Sequence, residues 1–273
     1  MIPIHIVFLV SVAAGFVGAM SGMGGGVVLI PALTFLGLDI KRAIALSVVS
    51  VIATSSGSAS AYVKDHITNL KVGMYLEMFT ILGALAGASI TLVSGQKPLF
   101  LALGCVLLSS WATLLIQHKK EHFERPQDRF SRWLELEGEY YDASERRKIS
   151  YKATRAHWGG CLMFGAGLVS GLLGIGAGAL KVLIHDLVMG LPPKVSTTTS
   201  NLIIGVTALA GTGVYLSAGL IDPGMAAPVI LGIVAGAFAG TKVLMRLPNR
   251  AVRFFFLIIL AVLGTQMLLR GLR

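Results

Sequence analysis

The sequence predicts an all-α polytopic membrane protein built as two inverted repeats. Each repeat is a broken, glycine-rich helix pair, re-entrant in the membrane, followed by three spans, for roughly 8–10 membrane segments in all. Three observations predict this. The chain is 55% hydrophobic and only 13% charged, with mean hydropathy +0.78, whereas soluble domains carry about 25% charged residues. A glycine-dense stretch, GFVGAMSGMGGG at Gly15 to Gly26, returns 152 positions later as GLVSGLLGIGAG at Gly167 to Gly178. The Lys and Arg of the loops also fit inverted halves better than parallel ones.

Charge divides the chain into three parts. Between Gln117 and Arg155 lie 10 Lys/Arg and 8 Asp/Glu, about half of all its charges. Residues 1–116 form a first transmembrane repeat, 117–156 a charged cytoplasmic loop, and 157–273 a second repeat. The net charge is +10, but the basic residues sit at the ends of apolar runs. That is the positive-inside signature of an integral protein, not a nucleic-acid face. Cys105 and Cys161 lie in apolar runs and read as small buried residues. No CxxC or Cys/His spacing supports a disulfide or a metal site. The first apolar run lacks a basic n-region and reads as a retained span.

In chain order, the first apolar block runs from about His5 to Leu38 and is interrupted by Gly22, Gly24, Gly25 and Gly26. A full span needs about 20 residues, and each side of the break has fewer. Two short helices meeting near the midplane are expected, with Pro31 in the second. Lys41 and Arg42 mark an interface. Spans follow at about Ala43–Val63, Val72–Val93 and Pro98–Ile116. Within the loop, LELEGEYYDASERRKISYKAT alternates with period two around a polar turn, so a small β-hairpin or a charged linker is expected. The second half repeats the first at an offset of 153: MGLPPK against LGLDIK, Ser200 against Ser47, Tyr215 against Tyr62, and GAFAG against GALAG.

Loop charge bears on orientation. If each broken block crossed once, Lys242, Arg246, Arg250 and Arg253 would face outward, against the positive-inside rule. If each block returns to its starting side, Thr241–Arg253 moves inside and Ser217–Gly224, which has no Lys or Arg, moves outside. Lys41 and Arg42 are the one poor fit.

A glycine break inside a bilayer is tolerated only where the backbone is buried in protein or lines a wet cavity. Paired breaks in two halves point to a transporter's binding site; the plain alternative is close helix packing. The second short helix of each pair starts at the glycines, with Gly24, Gly25 and Gly26 in one copy and Gly176 and Gly178 in the other. Its free N–H groups and partial positive charge suit an anion. Lys181 follows Gly178 by three residues, and its repeat equivalent is Leu29. Helical side chains point toward the helix N-terminus, so Lys181 is expected to reach back toward the turn rather than snorkel to the headgroups.

The hydroxyl-rich runs Ser47–Ser60 and Ser196–Asn201 follow each broken block. Ser200, Asn201, Thr54, Ser55 and Ser56 are the candidates for lining the path, against simple interhelical hydrogen bonding. His185 and Glu77 are the candidates for proton coupling. A hydrogen-bonded histidine and interfacial positions for Glu77 and Asp186 are the plainer readings. No HExxH, GxSxG or Walker A motif is present, so neither enzyme nor ATP motor is expected.

The GxxxxxSGxGGGxxxxP pattern from Gly15 to Pro31, the GLLGIGAG echo and the KVSTTTSNLIIGVTA run resemble the sulfite exporter TauE/SafE family of membrane transporters. EGEYYD resembles the extramembrane loop of one branch of it. The chain departs from the family at Ala177, within an otherwise triple-glycine motif, and at Lys181, where many members are apolar. The resemblance implies a bacterial or archaeal plasma (inner) membrane carrier of sulfite, organosulfonates or related sulfur oxyanions. The expected partners are then a small anionic substrate, the lipid bilayer and a coupling ion, H+ or Na+. No cofactor is expected, and a homo-oligomer is open. A passive anion channel, or a scaffold or sensor acting through the central loop, are the competing readings.

Overall fold

The computed structural model describes residues 3–21, 24–64, 68–116, 127–142, 147–244 and 249–272. The elements are α1 (Ile4–Ser21), α2 (Gly26–Phe35), α3 (Ile40–Lys64), α4 (Leu70–Val93) and α5 (Gln96–Ile116). The central segment holds α6 (Arg129–Trp133), β1 (Glu137–Asp142) and β2 (Arg147–Lys152). Then come α7 (Ala156–Leu173), α8 (Gly178–Leu183), a π-helical turn at Ile184–Val188, α9 (Pro193–Ser217), α10 (Pro223–Leu244) and α11 (Asn249–Leu272). Gly22 and Arg246 lie outside the described residues, as do the side chains of Ser58, Ser60, Lys242, Arg250 and Arg253.

Among the described residues, α4, α7, α9 and most of α10 are long and apolar enough to cross a membrane, with shorter apolar stretches in α1, α2 and α11. Apart from one hairpin, the architecture is that of an all-α membrane protein. Cys105 and Cys161 are exposed rather than buried. An apolar run does not distinguish a lipid-facing position from a protein-facing one, because both are apolar.

Both broken pairs fold as hairpins. Gly18 of α1 lies against Gly24 and Gly25, and Val10 shares a crevice with Phe35 and Leu36 at the far end of α2. In the second pair, Gly159 lies against Met189, whose carbonyl accepts from the Thr154 amide at 2.9 Å. The chain therefore returns to the start of α7.

Helix partners exchange between the halves. α1 packs along α10, and α4 along α7, while α3 meets α9 and α5 meets α11. Glycine sets the close approaches. A Cβ on Gly83 or Gly87 would collide with the Phe164 or Leu168 carbonyl of α7, and one on Gly236 or Gly240 with the Val12 or Phe16 carbonyl of α1. Backbones can approach this closely only where no side chain intervenes. Register gives direction. Gly83 faces Phe164 and Gly87 faces Leu168, so α4 and α7 run parallel; Gly232 faces Phe8 and Gly236 faces Val12, so α10 and α1 do too. Gly104 faces Leu268 and Gly271 faces Leu101, so α5 and α11 run antiparallel. α3 and α9 are also antiparallel, with Ser55 against Gly205 and Val48 against Gly211.

The central segment folds onto one end of the bundle. β1 and β2 pair antiparallel, Glu137 with Lys152 through Asp142 with Arg147. Asn69 ties them to the membrane helices. Its side chain caps α4 at the Val72 amide (3.0 Å) and donates to Tyr151 Oη (3.0 Å), while its own amide donates to Thr199 of α9 (3.2 Å).

Candidate functional site

The two glycine breaks converge on one helix, α3. Val51 stands between them. Its Cγ2 lies 3.3 Å from where a Gly26 Cβ would be and 3.6 Å from that of Gly24, and its Cγ1 lies 3.3 Å from that of Gly176. Ser47, one turn earlier, donates to the Gly174 carbonyl at 2.7 Å. Gly26 packs directly on Ser47. Gly24 and Gly176 both have positive φ, +83° and +74°, where glycine carries no steric penalty.

The copies differ in backbone. Gly25 at the start of α2 is right-handed, with φ −64°. Its counterpart Ala177 is left-handed, with φ +49°. The residue with a Cβ thus takes the conformation that favours glycine.

Lys181 is fully buried. Its Nζ donates to Thr207 Oγ1 of α9 at 3.0 Å. Thr207 in turn donates to its own helix at Ile203 O (2.6 Å) and lies 3.1 Å from Glu77 Oε1 and 3.2 Å from Thr80 Oγ1, both on α4. Thr80 donates to the Glu77 carbonyl at 3.0 Å. A lysine and a glutamate from different helices are therefore joined through one hydroxyl. Thr207 also lines, with Gly174 and Gly176, a small closed space at the second break that is too narrow for a water molecule. Lys181 is thus held by α9, through a threonine that also borders the second glycine turn.

Glu77 is 9% exposed. Its carboxyl is turned to Thr207 of α9 and Thr80 of its own helix. His185 sits in the π-helical turn and is fully buried. Its Nδ1 is 3.2 Å from the Ser196 carbonyl. A carbonyl only accepts, so Nδ1 carries the proton and Nε2 the lone pair; Nε2 has no partner among the described residues.

The hydroxyl-rich runs divide. Thr54 is half-buried beside Gly24, 3.7 Å from that glycine's Cβ position. Ser55 is buried, packs on Gly205, and donates to the Val51 carbonyl at 2.8 Å. Ser56 is exposed. Ser200 is buried, with a long 3.5 Å contact to the Gly178 carbonyl, and Asn201 is half-buried on α9. Thr207 and Thr80 were absent from the sequence-based candidates. A signal for Thr207 existed, since it is the offset-153 counterpart of Thr54.

The repeat, at an offset of 152 across the breaks and 153 beyond them, isolates what is special about this cluster. The counterparts of Lys181, Glu77, Thr80 and Thr207 are Leu29, Ile230, Ile233 and Thr54. At the first break three of these four places hold hydrocarbon, and Leu29 and Ile233 are fully buried there. Among the described residues, charge stands at the second break and not at the first.

Apolar helices, paired hairpins with glycine breaks, and a charged cluster sealed between spans define a multi-pass membrane transporter. The chain matches the sulfite exporter TauE/SafE family over residues 7–267 and belongs to it. Two proteins of Bacillus subtilis (strain 168) are similar over nearly the full length. The probable membrane transporter protein YunE is 25% identical, covering 98% of this chain and 98% of its own. The probable membrane transporter protein YdhB is 22% identical, covering 98% of this chain and 100% of its own. No solved structure matches the chain.

Proposed function

We propose that this chain is a secondary transporter that exports sulfite, an organosulfonate or a related sulfur oxyanion across the plasma membrane. The observation that carries the reading is the fully buried Lys181, bonded to Thr207 at the edge of the second glycine break. A lysine in mid-span costs about 2.5–3.5 kcal/mol on insertion scales, and the counterpart Leu29 supports the same local fold without it. The substrate anion binds near the midplane between Lys181 and the broken-helix ends, in a conformation more open than the closed one described. Thr54, Ser200 and Asn201 offer donors around it.

The halves are read as inverted repeats, with the central loop in the cytoplasm. Antiparallel packing of the equivalent pairs α3/α9 and α5/α11 supports this, because repeats related along the membrane normal would run parallel. The hairpin form of both broken pairs supplies the odd number of crossings that inversion needs. Alternating access then rocks one half against the other around the breaks. The membrane potential favours exit of a free anion by about 2.3 kcal/mol per charge per 100 mV, and a coupling ion would alter that balance.

The test is purified protein in proteoliposomes, given a panel of sulfite, thiosulfate, sulfoacetate and sulfate. Accelerated exchange from preloaded vesicles is expected for one or more sulfur oxyanions, and its loss in Lys181→Ala that inserts normally. Current without counterflow would replace the carrier by a channel. No flux of any panel member would overturn the reading.

A further inference from the structure

The coupling ion can be read from the hydroxyl bridge itself. Thr207 has a single proton to give, and its shortest contact is the Ile203 carbonyl at 2.6 Å. The Thr80 proton goes to the Glu77 carbonyl at 3.0 Å. Thr207 can turn the same proton to Glu77 Oε1 at 3.1 Å, and Thr80 Oγ1 lies 3.4 Å from that carboxyl oxygen. As a carboxylate Glu77 accepts from Thr207 and as a carboxylic acid it donates to it, so this one hydroxyl serves both states while Lys181 donates to the same oxygen. Lys181 and Glu77 come into contact only through that oxygen, so the ammonium is not committed to the carboxylate.

We infer that Glu77 is the proton carrier of this transporter, and that one proton crosses the membrane with each substrate anion. The inference rests on the transport reading above. In the empty carrier, Lys181 as ammonium and Glu77 as carboxylate cancel. An anion arriving at Lys181 takes over as its counter-charge. Glu77, left unpaired in a sealed space, takes a proton from the water on the entry side. On the far side the anion leaves, Lys181 draws the carboxylate back, and the proton goes to that water. Loaded with a monoanion, the carrier is as neutral as when empty, so the membrane potential does not drive it; the anion and pH gradients do.

Other charged groups do not serve equally well. From α8, Lys181 faces Glu77 across Thr207 of α9. On α7, Cys161 is exposed and His157 packs on Phe130 of the central segment. His185 lies one turn beyond Lys181 and is bonded to Ser196. The pair is also dispensable for packing, because Ile230 and Leu29 occupy the equivalent places in the other half.

The experiment uses proteoliposomes with labelled sulfite as probe and an internal pH dye, at clamped zero potential. Wild-type protein is expected to move about one proton per bisulfite, at a rate unchanged when the potential is stepped. In Glu77→Gln, which mimics the protonated form, net efflux should fall at least fifty-fold, while sulfite–sulfite counterflow falls less than five-fold, because the loaded carrier still crosses. Sulfite transport by the wild type with no accompanying proton flux would overturn this inference and leave the transport reading standing. Glu77→Gln with net efflux at the wild-type rate would do the same. No sulfite flux in the wild type would remove the reading beneath it. The wild-type proton measurement decides the matter even if the variant does not fold.

Discussion

Ser47 of α3 donates its hydroxyl to the carbonyl of Gly174, 127 residues away, at 2.7 Å. This bond fastens the third helix of one half to the glycine break of the other. Gly174 ends α7 in a left-handed cap, so its carbonyl has no helical acceptor role left and would otherwise be orphaned. Ser47→Ala is expected to destabilise the protein by about 1–3 kcal/mol, the cost of a buried unsatisfied carbonyl. Gly26→Ala should add overpacking of about 1–3 kcal/mol, since its Cβ would press on Ser47 and lie 2.9 Å from the Gly174 oxygen. Detergent unfolding curves of the two variants measure both. Wild-type stability in Ser47→Ala would show that this bond does not hold the halves together.

Thr207 is the second point where one small group serves two helices. Thr207→Val keeps the shape and removes the hydroxyl between Lys181 and Glu77. Both charged groups lose a buried hydrogen bond, at about 1.5–3 kcal/mol each. Transport of sulfite by the reconstituted variant should fall at least ten-fold, whereas Thr207→Ser should retain most of it. Equal activity of the two variants would remove the hydroxyl from the site.

Ala177 carries a backbone conformation that costs a residue with a Cβ about 1–2 kcal/mol. Ala177→Gly relieves that and gives part back through the freer unfolded chain, for a net gain of about 0.5–1 kcal/mol. Gly176→Ala should act in the opposite sense. It sits at φ +74°, and its Cβ would come 3.0 Å from Ile204 Cγ2. A thermal shift upward for one and downward for the other is the expected result.

The repeat was legible because it is a matter of spacing: Gly83 and Gly236 could be paired on paper, and each proves to be a contact between the halves. The charge of Lys181 was legible as well, since a lysine among apolar residues stands out. Its partner was not. Glu77 and Thr80 come from a helix more than a hundred residues away, and no local pattern records which face of α4 meets α9. The cysteines and Ser56 failed for a related reason, as lipid-facing and protein-facing sides share one composition. Ala177 shows the limit of glycine counting: the left-handed position fell on the alanine, because the turn after Gly174 needs that dihedral whichever residue occupies it.

The central segment offers a prediction outside the membrane. Asp128 caps α6 through the Ser131 amide and also accepts from the Arg155 amide at 2.7 Å, while Ser131 Oγ accepts from the Ala156 amide at 3.1 Å. One carboxylate thereby positions the first residues of α7, where Arg155 is left-handed. Partial burial works against its charge, but the Ser131 hydroxyl and the Arg155 and Ser131 amides outweigh it and hold the carboxyl below its ordinary value. A lowered folded-state value means the clamp contributes fully above the unfolded value of about 3.9 and is lost as pH falls through the folded one. At pH 7 Asp128→Asn should therefore loosen this junction, by about 1 kcal/mol for the weakened cap. Hydrogen exchange of peptides spanning 128–156, corrected for intrinsic rates, reads this directly. Protection in Asp128→Asn at pH 7 should match that of the wild type at a pH below its folded-state value, while the α4 and α7 peptides change little. Wild-type protection in the variant would show that the hairpin, through Asn69 and Tyr151, holds the junction without Asp128.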